Sequence, residues 1–202
     1  MKIRVWELSL LVALVAAILW GALLEQRQLD LSDKLIRLHV VASSDGAADQ
    51  ALKYHVRDRV LGEAAALIEG APSRAAAEAR LVENLPRIEM AAQGAVSDWG
   101  HDEFVAVTLT QARYPTRAYD TFTLPAGQYR SLRVEIGQAD GPNWWCVVFP
   151  PLCLEAAGGF GAIEADALSG DEIALITGEE SGYQVRFWAL EMIDGLRGFL
   201  GG

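Results

Sequence analysis

Residues 8–24, LSLLVALVAAILWGALL, form an uncharged run in which only Ser9 is polar. No other feature constrains the fold as strongly. A helix that is apolar on every side cannot lie on the surface of a domain in water; it is buried or it enters a membrane. Lys2 and Arg4 precede the run. As a helix it rises roughly 25 Å, somewhat short of a hydrocarbon core of about 30 Å. A basic flank before the run predicts that the N-terminus stays inside and the remainder goes outside. A buried core helix is the alternative. A position at the chain start behind basic residues fits export better.

Residues 1–24 are therefore read as a signal peptide or an uncleaved membrane anchor. Cleavage prefers small residues next to the cut and two places before it. A cut after Ala22 puts Trp20 at the distal position, and a cut after Gly21 puts Leu19 there. Both are bulky, which favours the anchor. No cysteine follows the run, which argues against lipoprotein processing. Residues 25–33, EQRQLDLSD, read as a polar spacer. Residues 34–200 read as a single extracytoplasmic domain.

Charge narrows what that domain can do. Asp and Glu outnumber Lys and Arg by 27 to 17. The first 24 residues carry Lys2, Arg4 and Glu7, so the acidity belongs to the domain. Nucleic acid recruits basic surfaces, and this balance argues against it. Contact with membrane is expected through residues 8–24 instead.

The hydrophobic period changes along the chain. Residues 35–42, LIRLHVVA, alternate and are rich in β-branched residues, which predicts a strand. Ser43, Ser44, Asp45 and Gly46 end it and offer N-caps. Leu52, Val56, Val60, Leu61, Ala64, Leu67 and Ile68 then recur at helical spacing. Gly70, Pro72 and Ser73 break that helix. A second helix is predicted over 74–98, with Leu81, Leu85, Ile88, Met90 and Val96 as its apolar set and a kink or split at Pro86.

From Glu103 the period is two. Strands are predicted at Phe104, Val105, Val107 and Leu109, over 113–124 with Pro115 at an edge or bulge, over 132–136 and over 144–149. Residues 155–182 read as loop, with a short helix near Ile173. Residues 183–200 read mainly as a closing helix, although Tyr183, Val185 and Phe187 also alternate as in a strand. The fold expected is α+β: a mainly antiparallel sheet covered by two early helices and a C-terminal helix, preceded by the N-terminal hydrophobic helix.

A search for chemistry yields little. His39, His55 and His101 stand apart, and no pair of ligands sits at metal spacing. No cofactor motif is present; Gly158, Gly159 and Gly161 lack the strand-to-helix frame that binds phosphate. His101, Asp102 and Glu103 cluster at a helix-to-strand turn, where solvated loop is the ordinary explanation.

Cys146 and Cys153 flank a turn around Phe149 and Pro150. Three states are open: a cross-strand disulfide, which an oxidising exterior permits; two buried free thiols; and a nucleophilic thiol, which lacks a nearby histidine in the sequence. Trp144 and Trp145 are adjacent on a strand and must point to opposite faces. Either both are covered, one by a helix, or one is an interface anchor.

The ordered set of motifs resembles the stage II sporulation protein R family of endospore-forming bacteria. The matching residues are IRLHVVASSD at 36–45, DQALK at 49–53 and VRD at 56–58. They continue with LPAGQY at 124–129, LRVEIG at 132–137 and NWWCVVFPPLC at 143–153. The family often has Asn where this chain has Ser43.

The resemblance implies an intercompartmental signal rather than an enzyme. Such a protein is made in the forespore and exported into the space between forespore and mother cell. There it activates a membrane-embedded aspartic protease that processes pro-sigma-E. Activation by binding requires better contacts with the active state. The expected contact surface lies around Trp144, Trp145, Phe149, Pro150 and Pro151, with His39 and Asp45. The same residues also suit a core signature. The alternative function is an extracytoplasmic cell-wall or peptide hydrolase using Cys146 or an acidic pair.

Overall fold

The structure is a computed structural model. It describes residues 4–119, 122–152, 168 and 170–177. Cys153, the Gly158–Gly161 stretch and the expected closing helix at 183–200 lie outside the described residues.

The first element, α1 (Val5–Ser32), is one continuous helix of 28 residues. It is long and apolar enough to cross a membrane, and its most apolar stretch is unburied. At 1.5 Å per residue it extends about 42 Å. Residues 25–32, read as a spacer, thus continue the helix, and its end docks on the domain. The Gln28 amide donates to the Ala126 carbonyl. Leu31 is buried in a cluster that includes Leu35, Leu124 and Tyr129.

Strand β1 (Ile36–Val41) follows, buried along its whole length. Helix α2 (Ala47–Ile68) turns the predicted stripe inward: Leu52, Val56, Val60, Leu61, Ala64 and Ile68 are buried. The long helix expected over 74–98 is two helices, α3 (Arg74–Glu83) and α4 (Leu85–Asp98). Ser73 caps α3 by accepting from the Ala76 amide at 3.2 Å. Pro86 lies in the first turn of α4, where its missing N–H costs nothing. Ile88, Ala92, Ala95 and Val96 form the buried stripe of α4. Met90 is 69% exposed, because two residues past Ile88 is the far side of a helix.

The strands then form a four-stranded sheet of order β2-β5-β1-β6. Its members beyond β1 are β2 (Val105–Tyr114), β5 (Gly127–Ile136) and β6 (Asn143–Phe149). Phe104 is 68% exposed and precedes β2 rather than joining it. The strand expected over 113–124 does not exist as one piece. Strand β2 ends at Tyr114, and a small hairpin of β3 (Arg117–Ala118) and β4 (Thr123–Leu124) follows. Pro115, which has no N–H to give a ladder, stands at the break.

The sheet is mainly antiparallel, with β2 on β5 and β1 on β6 paired that way. Its centre, β1 on β5, is parallel. A parallel neighbour needs a long crossover, and the three helices with β2 provide it. A short helix, α5 (Gly170–Thr177), is the last described element, at the place expected around Ile173.

The two faces of the sheet differ. Ile36, Leu38, Val40, Leu132, Val134, Ile136, Val105 and Val107 point toward α2 and α4 and make the main core. The opposite face carries Arg37, His39, Ser131, Arg133, Glu135, Tyr114 and Trp145, following the same registers. Its lower half is closed by a second cluster that includes Leu31, Phe122, Leu124 and Ile176. No described element covers its upper half, where Thr108, Thr110 and Asn143 are exposed.

Candidate partner-binding face

The seven residues expected to contact a partner do not form one patch. Trp144 and Trp145 point to opposite faces, as the period of two requires. Trp144 packs beside the main core, with the Arg57 guanidinium 4.8 Å from the centre of its ring. Phe149 is buried in that core, and Pro150, joined to it by a cis peptide, is buried as well. Neither offers surface to a partner. Pro151 is exposed beyond the end of β6, and Asp45 is exposed in the loop after β1.

Trp145 and His39 do come together, on the open face. They are opposite one another in the β1–β6 register, and their ring centres are 5.8 Å apart. Tyr114 completes the group, 6.0 Å from Trp145 and 6.1 Å from His39.

Beneath these rings lies a residue that the sequence did not single out. Arg37 is 0% exposed. Its guanidinium sits 4.0 Å from the centre of the Tyr114 ring and 5.1 Å from that of Tyr129. Nη2 donates to the Tyr119 hydroxyl at 2.7 Å. Nε and Nη1 are buried without a hydrogen-bond partner.

The tyrosines do not supply a counter-charge. Burial pushes the hydroxyls of Tyr114, Tyr119 and Tyr129 above the usual phenol range, and the nearby Arg37 charge offsets this only in part. They stay neutral, held by Ser131 Oγ at 2.5 Å from the Tyr114 hydroxyl and by Tyr129 donating to the Pro125 carbonyl at 2.7 Å. The ring faces therefore stabilise the cation through their quadrupoles alone.

A polar row continues up the face. His39 Nε2 is 2.6 Å from Asn143 Oδ1, and Nδ1 is 3.2 Å from Arg133 Nη1. Arg133 also binds Glu135 through Nε at 2.9 Å and Nη2 at 2.7 Å. At the rim, Arg117 of the hairpin stacks over Trp145, 5.1 Å from its centre. Such a mixture of aromatic rings and arginines is the composition typical of interface anchors. A charged residue inside the strand at 35–42 was the one sequence signal for Arg37. Nothing local marked Arg117, whose neighbour Trp145 is distant in sequence.

The remaining candidates lie away from this cluster of rings. Cys146 is buried and disulfide-bonded; Cys153 lies outside the described residues. His55 stacks on Trp99, ring centres 4.6 Å apart. His101 pairs with Glu103 at 3.2 Å. Among the described residues no group of three or more His, Cys, Asp or Glu is arranged to hold a metal ion.

The family described as stage II sporulation protein R matches residues 32–158. A protein of that name from Bacillus subtilis (strain 168) is 35% identical over 130 residues, covering 64% of this chain and 58% of the relative. The chain thus spans less than two thirds of that relative's length. No solved structure matches. The matched span begins at the last residue of α1 and takes in every strand of the open face. The chain belongs to the stage II sporulation protein R family.

Proposed function

We propose that this protein is an exported, membrane-associated signal of sporulation that acts by binding. A sporulation-related role follows from family membership. The finer reading is that it leaves the forespore and activates a membrane-embedded aspartic protease, which then processes pro-sigma-E in the mother cell. The observation that carries it is the open face, where exposed Arg117 stacks over half-buried Trp145 and His39 lies buried beside them. A binding face can activate a protease by contacting its active arrangement more favourably than its inactive one.

Two features support the reading. An apolar N-terminal helix suits export or anchoring, and its docked end ties the domain to that helix. The hydrolase alternative meets an obstacle in Cys146, whose sulfur is buried and bonded rather than a free thiolate.

The test is reconstitution. The full chain, the protease and pro-sigma-E are produced together, and processing is followed by the mobility of the sigma factor. Processing that requires the chain, and is lost with Trp145→Ala while the domain stays folded, supports the reading. Processing that proceeds equally without the chain removes it.

A further inference from the structure

The chain as a whole is strongly acidic, at −10, yet the open face is not. Its described charged side chains are Arg37, Arg133 and Glu135 from the sheet and Arg117 from the hairpin. Glu135 is already bound to Arg133. Among the described residues no carboxylate is bonded to Arg37, its Nε and Nη1 are unpartnered, and burial shields its charge from solvent. A cation in a low-dielectric setting is screened less than one on the surface, so its field reaches the rim. There Arg117, exposed and stacked on Trp145, is held ready for an oxyanion.

We propose that this face docks an acidic segment of the protein partner, with a carboxylate on Arg117 over the Trp145 ring and the buried Arg37 supplying added positive potential. The inference rests on the protease-activator reading and specifies the chemistry of the segment recognised. Charge complementarity argues for an acidic occupant: among the described residues the face is locally positive on a chain whose net charge is −10.

The experiment measures binding of the full chain, in detergent, to the purified protease. Wild type, Arg117→Glu, Arg117→Ala and the control Arg59→Glu are compared. Arg59 is exposed on α2, paired with Asp98, and outside this face. Arg117→Glu is expected to weaken binding about tenfold or more, and Arg117→Ala less, with Arg59→Glu unchanged. Wild-type binding is expected to weaken as salt rises from about 0.05 M to about 0.5 M, which shortens the screening length about threefold.

Wild-type binding that neither Arg117 variant nor salt alters overturns this inference and leaves the activator reading standing. An absence of wild-type binding removes both. If Arg117→Glu instead abolishes only adhesion to vesicles of anionic lipid, the occupant is a lipid surface and the inference is wrong. Melting curves verify that each variant is folded, and Arg117→Ala serves if the charge reversal is not.

Discussion

His39 accepts a hydrogen bond from the Arg133 guanidinium through Nδ1, at 3.2 Å. Arginine only donates, so Nδ1 carries no proton and Nε2–H donates to Asn143 Oδ1, 2.6 Å away. The imidazole is thereby held neutral. Its pKa is lowered from the ordinary 6.5, chiefly by burial and further by the Arg133 and Arg37 charges; the Asn143 hydrogen bond and Glu135 oppose the shift.

A depressed histidine pKa stabilises the fold fully above 6.5, and that stability is lost as pH falls toward the folded-state value. Denaturant midpoints measured across this range should fall below pH 6.5 in the wild type. His39→Gln, which cannot take up the proton, should show a flatter profile. An unchanged slope in that variant would show that His39 is not the group responsible.

Arg37 offers a test of what an uncompensated buried cation contributes. Removing a buried charge while keeping its volume is often neutral, whereas truncation leaves a cavity. Arg37→Met should therefore lie within about 1.5 kcal/mol of wild type after loss of the Tyr114 cation–π contact. Arg37→Ala should cost about 3 kcal/mol or more. Urea denaturation distinguishes them. Equal damage from both would mean that the charge itself holds the fold.

The loop after β1 is packed against the β5–β6 turn so closely that side chains are excluded. Gly137 has φ +59°, and a Cβ there would strike Ser43 Oγ. At Gly141 it would strike the backbone carbonyl of Ser44. Gly137→Ala should cost about 2 kcal/mol from the left-handed backbone and the clash together. A melting temperature equal to wild type would show that this loop is not as tightly seated as described.

Helix α4 protects an edge of the sheet. Gln93 Oε1 accepts from the Val105 amide and Glu89 Oε2 from the Val107 amide, each at 3.0 Å. These donors belong to β2, an outer strand that would otherwise be open to pairing with another chain. Replacing both acceptors with Ala should cost about 1 kcal/mol per hydrogen bond and increase concentration-dependent association. Light scattering together with denaturation would reveal either effect, and a double variant that stays monomeric and equally stable would contradict it.

Much of the architecture was legible in local patterns. The apolar run at 8–24 marked a helix suited to export or anchoring. The stripe from Leu52 to Ile68 marked the face of α2, and Pro86 marked the break between α3 and α4. The period of two by itself sets Trp144 and Trp145 on opposite faces of their strand. Each of these needs only neighbouring residues and the geometry of one element.

What the tertiary structure alone decided is which residues meet across the sheet. The strand 36–41 reads as apolar with Arg37 and His39 interspersed, and nothing local says whether those two face water or a partner strand. Pairing β1 parallel to β5 sets Arg37 beside Ser131 and His39 beside Arg133. The β2 ladder brings Tyr114, and the hairpin brings Arg117 over Trp145. The sequence alone determined the kinds of elements and the family's motifs, because those depend on residues a few positions apart. The register of distant strands assembled the open face, because burying the helix-side stripe commits every alternate side chain to the other side.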